Sequence, residues 1–293
     1  MVAKQRKIGL IFASGTALSS VKRKTVVFVD REEDIGQWLL EIPEISVMAQ
    51  IEPIFFHPES EYFLEEKSVD LARFILSIHQ KYDGLVVLTS ADTTIRQSLL
   101  IGYMLQSVKI PIIFTGAPFS MKALEEGKLD TVGKKFAGFG LKSNVINAVQ
   151  VATRDFERVA IMYGNRLLDP VKATRVSLSD LNIFSSTDGN YLGKVEFSIR
   201  LDEKQKLKIQ TADESMIGFS SEVMVIDSAR LPKFETINLG QTKILIIKVS
   251  ENQRLSSVAL KQLQQLPQFV LLYNYRYVLD QGSLPVISGL TDD

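Results

Sequence analysis

The 293-residue chain has no cysteine, two histidines (His57 and His79) and a single tryptophan. Without cysteine there is no disulfide, no thiolate nucleophile and no sulfur-ligated metal. The two histidines lack a companion at ligand spacing, so neither a metal nor another cofactor is expected, and a serine–histidine relay is excluded as a design. Excess charge of either sign is also missing. Lys plus Arg number 34 and Asp plus Glu number 34, for a formal net charge of zero. A basic face would need an acidic one elsewhere, so nucleic acid is not an expected partner. No apolar run approaches the ~18 residues of a membrane span, and a membrane is not expected either. What remains for chemistry is hydroxyls, carboxylates, Lys and Arg. The composition, 45% hydrophobic and 23% charged, is that of a soluble globular protein. The length suits two domains of ~100 to 200 residues each.

Lys4, Arg6 and Lys7 precede the apolar run Ile8 to Ala13, an order shared with short secretory signals. The run is brief for such a core and breaks at Ser14-Gly15, so it reads as a strand. Gly84 to Thr89, Pro111 to Thr115 and Val159 to Tyr163 read likewise. Their hydrophobicity is continuous rather than alternating, the pattern of parallel strands covered on both faces. Between them, helical stripes run through Leu71, Phe74, Ile75 and Ile78, through Ile95, Leu99, Met104 and Leu105, and through Val145, Ala148, Val149 and Ala152. Strand–helix alternation implies an α/β fold with a mostly parallel sheet flanked by helices. The Thr187-Asp-Gly-Asn190 turn and the polar Lys204 to Lys208 stretch place a connection over residues 191–215. It separates a larger domain (1–190) from a smaller α/β domain (216–293), with strands near 223–226, 243–249, 269–273 and 284–288 and a helix near 256–266.

Ligands of open α/β sheets bind at the carboxyl ends of strands. Three segments follow the strands there: Ser14-Gly15-Thr16, Ser90-Ala91-Asp92-Thr93-Thr94 and Gly116-Ala117-Pro118. A glycine beside hydroxyl residues lets backbone approach a ligand and presents Thr16 as a nucleophile, although the triplet alone also describes an ordinary turn. Asp92 before a helix is, taken alone, better explained as an N-cap. His57 sits before Pro58 in an extended turn, and His79 lies near the polar end of a helix.

Taken in order, these segments resemble the bacterial-type L-asparaginases and the related glutaminase-asparaginases over nearly the whole chain. Lys7 to Thr16 is similar to that family's first strand and Thr-Gly-Gly-Thr turn. Tyr82-Asp-Gly-Leu-Val-Val-Leu-Thr-Ser-Ala-Asp-Thr93 resembles its Tyr-Asp-Gly to Gly-Thr-Asp-Thr segment. Ile110 to Ala117, Asn144-Val-Ile-Asn-Ala148, Gly164 to Leu168 and Lys172 to Ser177 continue the series. The resemblance implies a large amino-terminal domain, a smaller carboxyl-terminal one and hydrolysis of the asparagine side-chain amide at a site between them. It also implies homo-oligomers, dimeric or tetrameric, and an amino-acid-like ligand; a cytoplasmic location is expected.

Carried over residue by residue, the nucleophile falls on Thr16 and the triad aspartate on Asp92. The second threonine is Ala91 and the lysine is Arg175, so two members of the proton relay have changed. Arg stays protonated and cannot pass a proton; a two-pronged bridge to Asp92 is its expected role. Lys172, three residues earlier along an extended segment, is expected on the opposite face. Ser14, Gly15, Phe56, His57, Ser90 and Ala117 are the expected substrate-binding positions, with Pro53 to Pro58 bulky where the family is small and polar. The smaller domain reads as shortened after Leu284 to Ser288. The function implied is that of an asparaginase-like amidohydrolase with an impaired site. The alternatives are a binding protein for a different small molecule and an oligomeric, partner-binding protein.

Overall fold

The structure, a computed structural model, describes residues 5–13, 16–20, 25–29, 31–59, 64–119, 131–177, 182–196, 199–201, 217–229, 238–249, 255–274 and 286–288. The chain divides into two units, Met1–Gly218 and Phe219–Asp293. The strands of the first are β1 (Lys7–Ala13), β2 (Ala17–Ser20), β3 (Thr25–Phe28), β4 (Gln50–Phe56), β5 (Gly84–Leu88), β6 (Ile112–Thr115), β7 (Val159–Tyr163), β8 (Arg166–Leu168), β9 (Ala173–Arg175), β10 (Phe184–Ser186), β11 (Gly193–Val195) and β12 (Ile199–Leu201). Its helices are α1 (Glu32–Leu39), α2 (Glu44–Met48), α3 (Leu64–Ile78), α4 (Thr94–Met104) and α5 (Thr131–Ala152).

Eight strands form one sheet in the order β12-β11-β8-β7-β6-β5-β1-β4. From β4 to β7 all ladders are parallel, and β8, β11 and β12 extend the sheet in antiparallel fashion. Period-two alternation sends the two sides of each apolar run to different cores. Ile8, Leu10 and Phe12 of β1 join Ile35 and Trp38 of α1 and Val145 and Val149 of α5. Ile11 joins Leu71 and Ile75 of α3 and Ile101 and Met104 of α4 on the other face. Both faces are thus buried, as the continuous hydrophobicity of the strands requires.

Two expectations are corrected here. Residues 191–201 are not connection: they contribute β11 and β12 to the sheet, so the first unit runs on to Gly218. Three-residue strands are too short to show a period of two. Helix α5 begins at Thr131 rather than Asn144; Gly133, Gly138 and Gly140, each costing about 1 kcal/mol in a helix, conceal its first half. Pro53 to Phe56 is part of β4, in register with Leu10 to Ala13 of β1. The Gln50 N–H donates to the Arg6 carbonyl, so the N–H groups of residues 50, 52 and 54 face β1 and position 53 faces outward. Proline, with no N–H, therefore costs the ladder nothing at this outer strand.

At the amino-terminal ends of these strands, Tyr82 donates to Glu52 Oε1 at 2.7 Å, and Lys7 Nζ meets Glu52 Oε2 at 2.6 Å. Burial, followed by the Glu52 carboxylate, pushes the Tyr82 hydroxyl from an ordinary 10.0 up to about 12. Its neutral form is favoured by folding. The associated stability is fully present below pH 10 and is lost as pH rises through about 12. Denaturant unfolding across that interval is expected to show an alkaline loss that Tyr82→Phe reduces; an identical pH profile in the variant would count against the linkage.

The second unit holds β13 (Val223–Asp227), β14 (Ile244–Val249), α6 (Ser257–Gln264), β15 (Phe269–Asn274) and β16 (Val286–Ser288). Its strands pair in parallel in the order β13-β14-β15-β16. Ser256 Oγ accepts from the Ala259 N–H and caps α6. Ile226, Leu245, Ile247, Val249, Val270 and Leu272 bury one sheet face, while Val223, Val225, Ile244 and Phe269 on the opposite parity are exposed. Among the described residues no helix is long and apolar enough to cross a membrane.

Candidate active site

The carboxyl end of β5 leads through a tight turn into α4, and one carbonyl organises that turn. The Ser90 carbonyl accepts from the N–H groups of Thr93 and Thr94 and from both threonine hydroxyls, at 3.2 and 2.8 Å. Thr94 Oγ1 also lies within hydrogen-bond distance of the hydroxyls of Thr89 (2.9 Å) and Tyr163 (3.3 Å). Tyr163 ends β7 and is fully buried, and burial holds its hydroxyl well above the ordinary tyrosine range.

Asp92 projects from this turn. It does not cap α4, whose N-cap is Thr93 and which has no side-chain capping bond. Instead Asp92 Oδ1 accepts from Arg175 Nη1 at 2.7 Å. Arg175 ends β9, opposite Phe184 of β10, and its guanidinium lies 5.7 Å from the Phe184 ring. Phe184 is in turn edge-on to Tyr163 at 4.7 Å. The expected two-pronged bridge is not formed: Nη2 of Arg175 is buried and has no hydrogen-bond acceptor among the described residues. Lys172 pairs with Asp188 at 2.6 Å. That ammonium, with the Ser186 hydroxyl and the backbone around Asn190, holds the Asp188 carboxyl well below its ordinary range.

Thr16 is 2% exposed. Its hydroxyl donates to the Leu88 carbonyl at 3.0 Å, its N–H donates to Ala13, and its carbonyl accepts from Val29. A peptide carbonyl is not a base, so this bond ties the threonine to β5 without activating it. Ala91 is buried and supplies only a methyl group. Ser90 Oγ accepts from the Asp92 N–H at 3.3 Å. Ala117 is buried. Phe56 packs on Phe74 of α3, with ring centroids 5.1 Å apart, and His57 is exposed beside Phe55. Ser14 and Gly15 lie outside the described residues. The structure therefore joins Ser90, Asp92 and Arg175 directly and ties Thr16 to the last residue of β5, while Phe56 belongs to the packing of α3.

Two asparagines hold the neighbouring strand ends. Asn144, fully buried, donates from Nδ2 to the Gly116 carbonyl at 2.9 Å and accepts at Oδ1 from the Gly164 N–H at 2.8 Å. Asn147 donates to the Gly164 carbonyl at 2.7 Å. Neither was marked by sequence as a site residue, since their partners are backbone groups. Tyr163 and Phe184 were also missed, although the rule that strand ends carry the site points to Tyr163. Among the described residues no three His, Asp or Glu side chains converge on a metal position.

An α/β protein with hydroxyl, carboxylate and guanidinium groups gathered at the carboxyl edge of a mostly parallel sheet is the class defined by this geometry. The chain belongs to the asparaginase family: residues 7–207 match the family described as "Asparaginase, N-terminal". L-asparaginase I from Vibrio cholerae has a similar fold, with 19% identity and a TM-score of 0.65 over 98% of this chain and 89% of that one. The thermostable L-asparaginase from Thermococcus kodakarensis matches at 14% identity and a TM-score of 0.60, over 92% and 80% of the two chains. No curated protein matches the chain.

Proposed function

We propose that this asparaginase-family protein has lost most or all of the hydrolysis of L-asparagine to L-aspartate and ammonia. The observation that carries this reading is the 2.7 Å pairing of Asp92 with Arg175. Amide hydrolysis through a hydroxyl nucleophile needs a group that takes the hydroxyl proton and returns it to the leaving ammonia. Arg175 keeps its proton, Ala91 has no hydroxyl, and the Thr16 proton is directed at a backbone carbonyl. Loss of a positioned acid or base typically costs ~100- to 10,000-fold. Purified full-length protein is therefore expected to release ammonia from L-asparagine at under ~1% of the rate of an active family member. Sustained release at a comparable rate would overturn the reading, and Thr16→Ala would show whether any residual rate runs through that hydroxyl.

The same reading includes a cytoplasmic location and self-association. The exposed Val223, Val225, Ile244 and Phe269 on the sheet of the second unit support the latter, because parallel sheets are ordinarily covered on both faces. Light scattering is expected to give more than one chain per particle; a monomer at all concentrations would remove this part.

A further inference from the structure

A cavity of about 250 Å³ lies at the amino-terminal edge of the large sheet, opposite the edge that carries Asp92. Its floor is apolar: Leu99 of α4, Leu105 and Val108 after that helix, and Ile112 and Val159, the first residues of β6 and β7. Tyr103, Glu157 and Val171 also line it and are exposed, which makes them its mouth. A closed apolar cavity of ~150 Å³ holds a benzene ring. This one has room for a ring and a polar substituent.

Two features mark the space as kept rather than left over. Gly102 of α4 lines it, and glycine weakens a helix interior more than any residue but proline. Packing does not demand it: a Cβ there would meet only the Val159 Cβ, at an ordinary contact distance of 3.7 Å. What the missing side chain leaves is volume. The second feature is an ion pair set into the apolar wall, largely withdrawn from water. Arg158 Nη2 donates to Asp169 Oδ2 at 2.7 Å, the side chains being 10% and 16% exposed, and the Val171 N–H donates to Asp169 Oδ1 at 3.1 Å. Well-packed apolar residues would often serve stability as well; the pair gives the wall a dipole without net charge.

We propose that this cavity binds a small neutral molecule made of one aromatic ring and a hydroxyl or similar hydrogen-bonding substituent. The ring packs on the aliphatic floor and on Tyr103, which adds the geometry of a ring pair. The substituent meets the Arg158–Asp169 dipole and Gln106, whose amide both donates and accepts. A charged substituent would lose water against a wall whose charges already match each other, so ions are disfavoured. No residue of this lining belongs to the candidate active site, and the proposal is independent of the reading on amide hydrolysis.

The test is ligand-observed NMR titration of the full chain with benzyl alcohol, benzoate and benzylammonium, which share a ring and differ in charge. Benzyl alcohol is expected to bind with a Kd of ~1 mM or below, and each ion at least ~10-fold more weakly. Gly102→Leu fills part of the space while favouring the helix, and is expected to weaken benzyl alcohol at least ~10-fold. Should that variant fail to fold, Tyr103→Ala at the exposed mouth carries the test, with an expected loss of ~3- to 10-fold. The proposal is overturned by no saturable binding of benzyl alcohol, by equal or tighter binding of either ion, or by full retention in folded Gly102→Leu or, in its place, Tyr103→Ala. An affinity that falls as protein concentration rises would assign the cavity to a second copy of this chain and would overturn it as well.

Discussion

Gly116→Ala is expected to destabilise the first unit by about 3 kcal/mol or to prevent its folding. A Cβ at this position would stand 2.1 Å from the Thr89 carbonyl oxygen and 2.8 Å from the Tyr163 hydroxyl. Neither neighbour can yield cheaply. Thr89 is held to β6 by its N–H bond to the Thr115 carbonyl, and Tyr163 is wedged against Phe184 and bonded to Thr94. Relief would have to come from moving the ends of β5 and β6 apart, which opens the turn that carries Asp92. The single tryptophan, Trp38, is 5% exposed and packs edge-on against Phe12 of β1 at 5.9 Å, so its fluorescence reports on this unit. A fall in denaturant midpoint at constant slope is the expected record. Gly36 in α1 is the control: no atom lies within 4 Å of its added Cβ, and alanine there is expected to stabilise by about 0.5 to 1 kcal/mol. Similar midpoints for the two variants would refute the steric account.

Asn144→Leu is expected to cost a comparable amount for a different reason. The side chain is 0% exposed and serves one carbonyl and one N–H, those of Gly116 and Gly164. Leucine is near it in size but leaves the buried Gly116 carbonyl and the partly buried Gly164 N–H unmatched. At about 1 to 3 kcal/mol for each, the loss is about 2 to 6 kcal/mol. Faster hydrogen exchange at the Gly164 amide should accompany it, because that proton has lost its acceptor. Asn147→Ala removes one bond to a half-buried carbonyl and is expected to cost only about 1 kcal/mol. A mild Asn144→Leu variant with an unaltered Gly164 amide would mean the brace is not needed.

The parts of this fold visible in the sequence are those where burial leaves a long trace. Ile8 to Ala13 and Val159 to Tyr163 are buried on both faces of the sheet, and their unbroken hydrophobicity marked them as strands. β8, β11 and β12 carry three residues each, too few for a pattern, and so the antiparallel end of the sheet went unseen. At the site, the pairing of Arg175 with Asp92 spans 83 positions and was legible only through resemblance to the family's motifs. Its one-pronged form was not, because the reach of a guanidinium depends on the placement of β9 and β10. The brace by Asn144 was hidden for a simpler reason: both of its partners are main-chain groups of glycine, which side-chain identity does not announce.

The proline at the outermost strand has a meaning for the molecule in a crowded solution. Among the described residues β4 pairs with β1 on one side only, and a bare strand border is a template on which a second extended chain can lie and begin a fibril. With Pro53 at an outward position, one of the few donors such a chain would need is missing, and its ring obstructs close approach. The partly buried Glu52 beside it, clasped by Lys7 and Tyr82, places charge on the same border. Pro53→Val would restore the outward donor within the run Ile51 to Phe56 while leaving the ladder to β1 intact. Such a protein would fold as before yet associate border to border, a failure of solubility rather than of stability.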